Sequence, residues 1–468
     1  MSRQDFYKKC REDYPTFTYQ GYSYDLNNEG ISMTFDFSID GLSEFHPTWS
    51  IPRINDVASI DEELIDDMVF SLGMVELVSY WKIACPPTVI IKDRQLSAEQ
   101  ISWWKKLYFN GLGEFYYTNG IEEDFDDFMT VKCEGTKQPR SITPKDRPRI
   151  AAGKKPRVMV PVGGGKDSVV SIELLREKAD VNCYVINSRG ATDATVEVGG
   201  LTDHTIYAKR TLDKNMLDLN AQGFLNGHTP FSALVAFSSI IAGYLNDLQF
   251  VALSNEGSAN ESTVKDSYVN HQYSKSFEFE ADFRHYEKNF IGSGVFYFSF
   301  LRPLSELQIA MLFSRFKKYH GIFKSCNVGS KQDIWCGHCP KCLFVYIILS
   351  PFLTLEELDA IFGKRLFEDE TLMEDFDKLC GILPEKPFEC VGSRDEVNAA
   401  ITEAISKYAQ KQIQLPALLM HYQDSAVVPA ITFEKFKNQY SSEHALDEFF
   451  EKIIKDALSN EGNNQKFS

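Results

Sequence analysis

Three consecutive glycines followed by Lys-Asp-Ser form the most informative segment of the sequence. They lie between a short apolar run, Val158–Val162, which predicts a buried strand, and a helix predicted over Ser168–Lys178. Glycines let the backbone turn tightly and present its amides to an anion, and a helix start favours the same charge. The sequence therefore predicts a phosphate-binding turn made of Gly163, Gly164, Gly165, Lys166, Asp167 and Ser168.

The polar residues of this turn have separate predicted tasks. Lys166 supplies a mobile positive charge, and Asp167 either caps the helix or holds a magnesium-bound water. Asn187, the last residue of the second predicted strand, is assigned to the same nucleotide site. The structural alternative is a glycine turn that only packs a helix on a sheet.

The segment fits neither the Walker loop nor the dinucleotide glycine pattern. It resembles the S-G-G-x-D-S loop of the ATP pyrophosphatase (PP-loop) family, with Gly163 in place of the first serine. That replacement removes one hydroxyl contact to phosphate and leaves the backbone cradle intact. The resemblance implies an α/β fold of the adenine nucleotide alpha hydrolase type, and cleavage of ATP between its α and β phosphates with Mg²⁺.

Four cysteines cluster with the spacing C-x9-C-x2-C-x2-C, at Cys326, Cys336, Cys339 and Cys342. Four soft ligands on a short knuckle suit tetrahedral zinc, while an iron–sulfur cluster or a redox pair is the alternative. His338, inside the knuckle, is expected at the surface. The spacing resembles the structural zinc site of 7-cyano-7-deazaguanine synthases. We predict ordinary thiols at the six scattered cysteines: Cys10, Cys85, Cys133, Cys183, Cys380 and Cys390.

Polar segments should line the crevice at the carboxyl ends of the predicted strands. One, residues 226–232, opens a long helix, and the others, residues 254–262 and 269–276, follow the fourth strand. They contain His228 and His271, whose imidazoles titrate near neutrality and suit proton transfer. Either histidine is equally interpretable as a structural residue.

The whole pattern is similar to the MurL family of ATP-dependent UDP-N-acetylmuramoyl-L-alanyl-L-glutamate epimerases, enzymes of peptidoglycan precursor synthesis. Besides the glycine turn, the similar segments are LGMVELVSYWKIACPPTVII at 72–91, SNEGSANES at 254–262, NHQYSKSFEFE at 270–280, LRPLSELQIA at 301–310 and WCGHCPKCLF at 335–344. The resemblance implies that ATP adenylates the α-carboxylate of the terminal L-glutamate. Inversion at Cα and hydrolysis then give the D-glutamyl product, AMP and pyrophosphate.

The chemistry explains why an epimerase would consume ATP. Removal of the α-proton from a free carboxylate would place two negative charges on one enolate, whereas an acyl adenylate is neutral at its carbonyl. The candidates for proton transfer are His228, Glu256 and His271, whose order the sequence does not set. Asn255, Lys275 and Arg302 are assigned to the substrate, with Lys275 and Arg302 as clamps for its anionic groups or, alternatively, as solvated charges.

These residues require a framework of alternating strands and helices. Apolar strands over 158–162, 181–187, 204–208 and 250–254 with crossover helices predict a parallel sheet covered on both faces. We predict an N-terminal α+β domain over 1–130, a basic Pro-rich linker over 131–156, a PP-loop domain with the zinc knuckle over 157–353 and a helical region over 354–468. The linker is interpreted either as a solvated hinge or as a loop that closes over an anion.

Composition narrows the class of protein. The 468 residues carry 49 Lys and Arg against 66 Asp and Glu, a formal net charge of -17, which argues against a nucleic-acid partner. The charged N-terminus has no secretory pattern, and no stretch is apolar enough for a membrane span, so we expect a cytoplasmic protein. The alternatives are a deazaguanine synthase-like enzyme, a tRNA-modifying PP-loop enzyme and a nucleotide sensor without catalysis.

Overall fold

One continuous eleven-stranded β-sheet runs through the part of the chain that our computed structural model describes, which is residues 1–55, 57, 59–263, 269–425, 427 and 429–459. In chain order its strands are β1 Thr16–Asn27, β2 Gly30–Ile39, β3 Ser43–Phe45, β4 Thr48–Pro52, β5 Thr88–Ile91, β6 Thr130–Cys133, β7 Arg157–Pro161, β8 Asp180–Ile186, β9 Thr205–Thr211, β10 Phe250–Leu253 and β11 Phe296–Ser299.

The sheet has two halves of different character. Its strand order is β11-β10-β7-β8-β9-β4-β2-β1-β5-β6, with β3 paired to β2, and all four pairings from β11 to β9 are parallel. The antiparallel pair β4–β9 joins this half to the N-terminal strands. The sheet therefore continues, without a break, from its parallel half into the segment predicted as a separate N-terminal domain.

A buried polar network locks this junction. Trp49 of β4 lies opposite Arg210 of β9, and both side chains donate to the carboxylate of Glu76, at 3.0 Å from the indole and 2.6 Å from the guanidinium. Glu76 is completely buried, so its charge requires these two partners. The network ties the two halves of the sheet to one helix.

Helices cover the sheet. Those in the described residues are α1 Arg3–Asp13, α2 Glu62–Trp81, α3 Ala98–Gly111, α4 Gly113–Asn119, α5 Lys166–Leu175, α6 Gly190–Val198, α7 Lys214–Ala221, α8 Phe231–Leu245, α9 Phe277–Tyr286, α10 Glu306–Phe313, α11 Pro340–Leu349, α12 Leu355–Phe362, α13 Met373–Cys380, α14 Arg394–Gln410, α15 Ala417–Asp424, α16 Phe433–Asn438 and α17 Glu448–Ser459.

Alternate residues of the parallel strands enter two separate cores. Met159 of β7 joins a core shared with α2, α3 and α8, whereas its neighbours Val158 and Val160 join a core shared with α5, α10, α11 and the later helices. This is the two-sided burial that the continuous apolar strands predict. The mixed α/β architecture expected from the sequence is thus confirmed.

Element limits follow local capping. The spacing of apolar residues predicts a strand over Gly30–Ile39 and a helix over Glu62–Trp81, and β2 and α2 have these bounds. The helix that the sequence predicts over Pro303–Tyr319 is shorter in the structure, since Ser305 caps α10 and the helix ends at Phe313. In the described residues, no helix combines the length and apolar character of a membrane span. Residues 460–468 of the predicted C-terminal helical region lie outside the described residues.

The basic segment between the predicted domains is held by protein partners. Its first residues belong to β6, and beyond them Lys137 bonds Asp66, Arg140 bonds Asp67 at 2.8 Å, and Arg147 donates to the backbone oxygen of Ala445 at 2.9 Å. These side chains therefore contact the body of the protein, unlike those of a freely solvated hinge.

Candidate active site

The glycine turn connects the carboxyl end of β7 to α5. Gly164 has a φ of +84°, and a Cβ on it would lie 2.9 Å from the Cβ of Ala191, so this position requires glycine. Gly165 is the N-cap of α5 and offers no side-chain cap. The first amides of the helix thus have no capping side chain, which is the arrangement that binds anions at helix N-termini.

The two residues after the glycines lie in the first turn of the helix, which begins at Lys166 rather than at the predicted Ser168. Lys166 is only 4% exposed, and its ammonium bonds the carboxylates of Asp167 and Glu306. The expectation of a mobile lysine is therefore wrong. Although burial opposes its charge, the two carboxylates raise the pKa of Lys166.

The neighbouring side chains of the turn differ in accessibility. Asp167 keeps about a third of its side chain exposed, whereas Ser168 is buried and its hydroxyl donates to the backbone oxygen of Gly165 at 3.2 Å. Asp167 does not cap α5; it offers a carboxylate at the mouth of the turn. Burial alone would raise the pKa of Asp167, but the positive charges of Lys166, Lys341 and Lys275 hold it below its ordinary value.

Lys275 connects the glycine turn to a second group of polar residues. Burial disfavours its charge, but Cys390, Glu256 and Asp167 together raise the pKa of Lys275 above its ordinary value. The negative charges of these three side chains thus favour the ammonium of Lys275. Glu256, near the start of the segment after β10, is itself buried.

Two histidines predicted from different segments meet at one carboxylate. The ring centroids of His228 and His271 are 4.4 Å apart. The Nδ1 atom of His271 bonds Oε2 of Glu114 on α4, and Nδ1 of His228 lies 3.5 Å from the same oxygen. Ligand atoms of all three residues lie within 4.8 Å of one another, so this trio has the donors for a divalent cation as well as for proton transfer.

The other nitrogen of His271 faces a thiol. Its Nε2 atom lies 4.0 Å from Sγ of Cys390, in the segment between α13 and α14. A hydrogen bond of 3.1 Å from the side-chain amide of Gln272 to the backbone oxygen of Val391 joins the two segments beside this contact. The order of groups is therefore carboxylate, imidazole and thiol.

Environment drives the two imidazoles to opposite charge states. Burial, followed by the charge of His271, lowers the pKa of His228 to about 4. His271 is also buried, but bonds with Cys390 and Glu114 raise its pKa to about 9. At neutral pH, His228 is a neutral base and His271 carries a proton.

Close packing brings α4 to this cluster. A Cβ on Gly227 would lie 3.1 Å from the ring of Phe115, which follows Glu114 in the helix. The buried Lys82 donates to the backbone oxygen of Gly227, which fixes the residue before His228, and burial lowers the pKa of Lys82 to about 8. The N-terminal region thus contributes directly to the site.

Three residues predicted to contact ligands have protein partners. Arg302 is 1% exposed and donates to the backbone oxygens of Glu256, at 2.6 Å, and Lys275. Its place is therefore behind the site, where it positions the two residues, and the structure does not support a substrate clamp there. Asn187 exchanges two hydrogen bonds of 2.9 Å with the backbone of Arg210, and Asn255 donates to the hydroxyl of Ser299 at 3.2 Å.

The four clustered cysteines come together at the start of α11. The sulfur separations are 3.8 Å for Cys326 and Cys339, 3.7 Å for Cys336 and Cys342, and 3.5 Å for Cys339 and Cys342. Tetrahedral zinc–thiolate bonds of about 2.3 Å place sulfurs about 3.8 Å apart, so these positions fit one such ion. His338 is exposed, as predicted, and its Nδ1 atom faces the backbone oxygen of Cys336.

Comparison with protein-family models identifies the family. The model of the MurL N-terminal domain matches residues 8–300, and the model of the MurL C-terminal domain matches residues 322–430. The chain belongs to the MurL family. The family membership that we inferred from similar sequence segments is therefore confirmed.

Relatives within the MurL family cover most of the chain. A UDP-N-acetyl-alpha-D-muramoyl-L-alanyl-L-glutamate epimerase of Xanthomonas oryzae pv. oryzae is 35% identical over 73% of this chain and 75% of its own length. Proteins of the same name from Salinispora tropica and a Micromonospora species are each 33% identical over 82% of this chain, and over 84% and 86% of their own lengths. No solved structure matches the chain. These comparisons do not favour the deazaguanine synthase and tRNA-modifying alternatives.

Sequence reasoning missed two members of the site in this MurL-family chain. Glu114 lies in the N-terminal region, 157 positions before its partner His271, and carries no motif. Cys390 was grouped with the ordinary thiols because no spacing links it to His271, 119 positions earlier. Only the folded arrangement of α4, the loop after β10 and the loop before α14 identifies them.

Proposed function

We propose that this chain epimerises the terminal L-glutamate of UDP-N-acetylmuramoyl-L-alanyl-L-glutamate, consuming ATP and releasing AMP and pyrophosphate. One observation carries the proposal: the imidazoles of His228 and His271, with ring centroids 4.4 Å apart, meet at the carboxylate of Glu114 in a chain that also has the glycine turn between β7 and α5. The glycine turn would hold the phosphates of ATP, and the two imidazoles would move the α-proton of the substrate. Membership of the MurL family and the names of the relatives support the same reaction.

The glycine turn suits the triphosphate of ATP. Gly164 leaves no room for a side chain, and the start of α5 presents amides without a competing cap. We assign the chain to the PP-loop class on this turn and on the parallel order of β7, β8 and β10. Asp167, an accessible carboxylate in the first helical turn, has the hard oxygen donors that Mg²⁺ prefers.

Adenylation would prepare the substrate for inversion. Attack of the α-carboxylate on the α-phosphorus gives an acyl adenylate and pyrophosphate, and the α-proton becomes acidic because the carbonyl no longer carries charge. We assign Lys275 to orient the carboxylate, and Asn255, in the segment that follows β10, remains a candidate for substrate binding. A nearby cation also stabilises the negative charge of the enolate that follows.

The histidine pair supplies two complementary proton carriers. His228, neutral at physiological pH, accepts the α-proton, and His271, protonated, returns a proton to Cα. Glu256, a buried carboxylate in the segment after β10, remains a further candidate for proton transfer. Solvent deuterium should therefore appear at Cα of the product.

We assign the four-cysteine cluster to structural zinc. Lys341 lies between two of the cysteines, and its charge helps to lower the pKa of Asp167, so an ion there would hold a charge of the site in place without joining the chemistry. A UDP-linked peptidoglycan precursor as substrate agrees with a cytoplasmic enzyme.

The test is a product analysis with the purified chain, ATP, Mg²⁺ and UDP-N-acetylmuramoyl-L-alanyl-L-glutamate. We expect AMP, pyrophosphate and D-glutamyl product in equal amounts. Asp167→Asn should abolish all three, while Asp193→Asn should not, although Asp193 also lies in the first turn of a helix after a parallel strand. ADP and phosphate as products, or AMP without D-glutamate, would contradict the proposal.

A further inference from the structure

Cys390 has a place in the site that proton transfer by the histidines does not use. Glu114 bonds Nδ1 of His271, and Nε2 of His271 faces Sγ of Cys390 at 4.0 Å. Carboxylate, imidazole and thiol in this order are the parts of an activated nucleophile: an orienting group, a base and an attacking atom. The distance is at the loose end of what such groups show before a substrate binds.

Several contacts hold the thiol at this position. The carboxylate of Glu261 accepts from Lys386 at 2.9 Å and from Arg394 at 2.8 Å, on either side of Cys390 in the chain. Together with the hydrogen bond from Gln272 to Val391, these bonds fix the segment against the loop that carries His271. Cys390 itself is half-buried, so a substrate can reach it.

The electrostatic setting of this thiol differs from that of other cysteines. Although Cys390 is buried enough to disfavour a charge, Lys275 and His271 lower its pKa to about 5. In contrast, burial is the largest cause and raises the pKa of each of the other five described cysteines outside the knuckle: Cys10, Cys85, Cys133, Cys183 and Cys380. A thiolate, and not a thiol, is the nucleophile in acyl transfer.

We propose that Cys390 is a catalytic nucleophile that takes the glutamyl group from the acyl adenylate as a thioester, and that inversion at Cα occurs on this thioester. The proposal rests on the proposed function, since it needs the adenylate. Charge connects the two parts of the site, since Asp167 of the glycine turn and Cys390 both favour the ammonium of Lys275.

The steps balance without any further reactant. Sγ attacks the carbonyl carbon, the S–C bond forms, and the bond from that carbon to the phosphate oxygen breaks, so AMP leaves with the electron pair. His228 takes the α-proton, the C–H electron pair enters the enolate, and His271 gives its proton to Cα. Water then attacks the thioester, with neutral His271 taking one of its protons, and sulfur leaves as the thiolate. The product carboxyl and His228 each release a proton to solvent.

Along this route, the loss of the negative charge on Cys390 changes the acidity of His271 at the step that needs it. Before acyl transfer, the thiolate stabilises the proton on His271, whereas in the thioester that negative charge is gone. His271 is then a stronger acid, at the step in which it has to protonate Cα. A thioester carbonyl is uncharged like that of the adenylate, so the α-proton stays acidic after AMP has left.

The experiment follows one turnover of substrate labelled with ¹⁴C in its glutamyl residue. Excess enzyme, ATP and Mg²⁺ are mixed with the substrate, samples are acid-quenched over time, and the denatured protein is analysed for bound label. ATP–pyrophosphate exchange and D-glutamyl product are measured in parallel. The variants are Cys390→Ala and, as a matched control, Cys133→Ala, another half-buried thiol, on the strand β6.

We expect label on the wild-type protein that maps to Cys390 and is released by neutral hydroxylamine. Cys390→Ala should carry no label and lose D-glutamyl formation by at least about 100-fold, while keeping substrate-dependent exchange, which also shows that it is folded. Cys133→Ala should match the wild type throughout.

Three results would overturn the thioester: D-glutamyl product without protein-bound label at any time, undiminished epimerisation by Cys390→Ala, or loss of exchange in that variant. Failure of the proposed function is a different observation, because the wild type would then show no substrate-dependent exchange at all.

Discussion

The imidazole rings of His228 and His271 lie 4.4 Å apart, yet their pKa values move in opposite directions, to about 4 and about 9. Burial disfavours charge on both rings. The difference arises because Nδ1 of His271 bonds Glu114 and its Nε2 faces Cys390, while His228 is next to a ring that already carries the proton. Proximity thus makes a base and an acid from two residues of one type.

The shifted pKa values of His271 and His228 should make the folding stability depend on pH, in opposite ways for the two residues. His271 holds its proton up to about pH 9 when folded, against an ordinary value of 6.5, so its stabilisation is complete below 6.5 and lost as pH rises to 9. The folded protein disfavours a proton on His228, so that residue destabilises the fold as pH falls from 6.5 to about 4.

Glu114→Gln should move the alkaline limb of the kcat profile. With the wild type, we expect kcat to fall above about pH 9, as His271 loses its proton. The amide removes the negative charge beside Nδ1, so the limb should shift down toward 6.5. The measurement is kcat for D-glutamyl formation between about pH 6 and about pH 10.

A matched control for this variant is Glu99→Gln. Glu99 also accepts a hydrogen bond from a histidine, His285, at 2.7 Å, but both side chains are more than half exposed. Its profile should equal that of the wild type. An unchanged alkaline limb in Glu114→Gln would show that His271 does not set it.

Adjacent glycines of the turn should respond differently to serine. Gly164→Ser places a Cβ 2.9 Å from that of Ala191 at a φ of +84°, so we expect ATP–pyrophosphate exchange to fall by about 100-fold or more. Gly163→Ser meets no atom within 4 Å and restores the hydroxyl of the PP-loop pattern, so exchange should be retained or increased. Equal losses in both variants would count against a backbone cradle at Gly164.

Glu306→Gln tests the buried ion pair behind the turn. Both partners are at most 5% exposed in their side chains, so removing this carboxylate leaves the ammonium of Lys166 with Asp167 alone. We expect the free energy of unfolding to drop by about 3 kcal/mol, as measured by denaturant titration. Asp13→Asn, which removes an exposed pair with Lys9, should change it by less than about 0.5 kcal/mol. A cost for Glu306→Gln as small as that of Asp13→Asn would contradict this role.

Metal analysis tests the cysteine knuckle. The wild type should contain about one zinc ion per chain, and Cys336→Ser should lose the ion together with thermal stability, because three thiolates hold it more weakly. Cys133→Ser, a half-buried thiol outside the cluster, should keep both. Unchanged zinc content in Cys336→Ser would reject the assignment.

Local patterns predicted the elements well and their assembly only in part. The period of apolar residues defined α2 as Glu62–Trp81, because a helix buried along most of its length repeats them every three or four positions. No local pattern specifies the antiparallel pairing of β4 with β9, which depends on Glu76 lying between Trp49 and Arg210. We therefore expected the strands of the N-terminal region and those of the PP-loop domain to belong to separate domains, whereas the structure joins them in one continuous sheet.

The site divides in the same way. The turn around Gly164 was predictable because its glycines are consecutive in the sequence. The knuckle was predictable because its four cysteines are close together in the chain. Cys390 and Glu114 act through partners more than a hundred positions away, so their types and spacing carry no signal. For Arg302 the sequence misled in the other direction. Its charge suggested that it binds the substrate, but the side chain is buried and donates to backbone oxygens of the protein.

The central claim is that the α-carboxylate is adenylated before Cα is inverted, and oxygen transfer tests it most directly. Substrate with ¹⁸O in the glutamyl α-carboxylate is turned over with ATP and Mg²⁺, and the nucleotide products are analysed by mass spectrometry. We predict that AMP carries one ¹⁸O atom for each D-glutamyl product formed. AMP without ¹⁸O, while D-glutamyl product accumulates, would contradict the account.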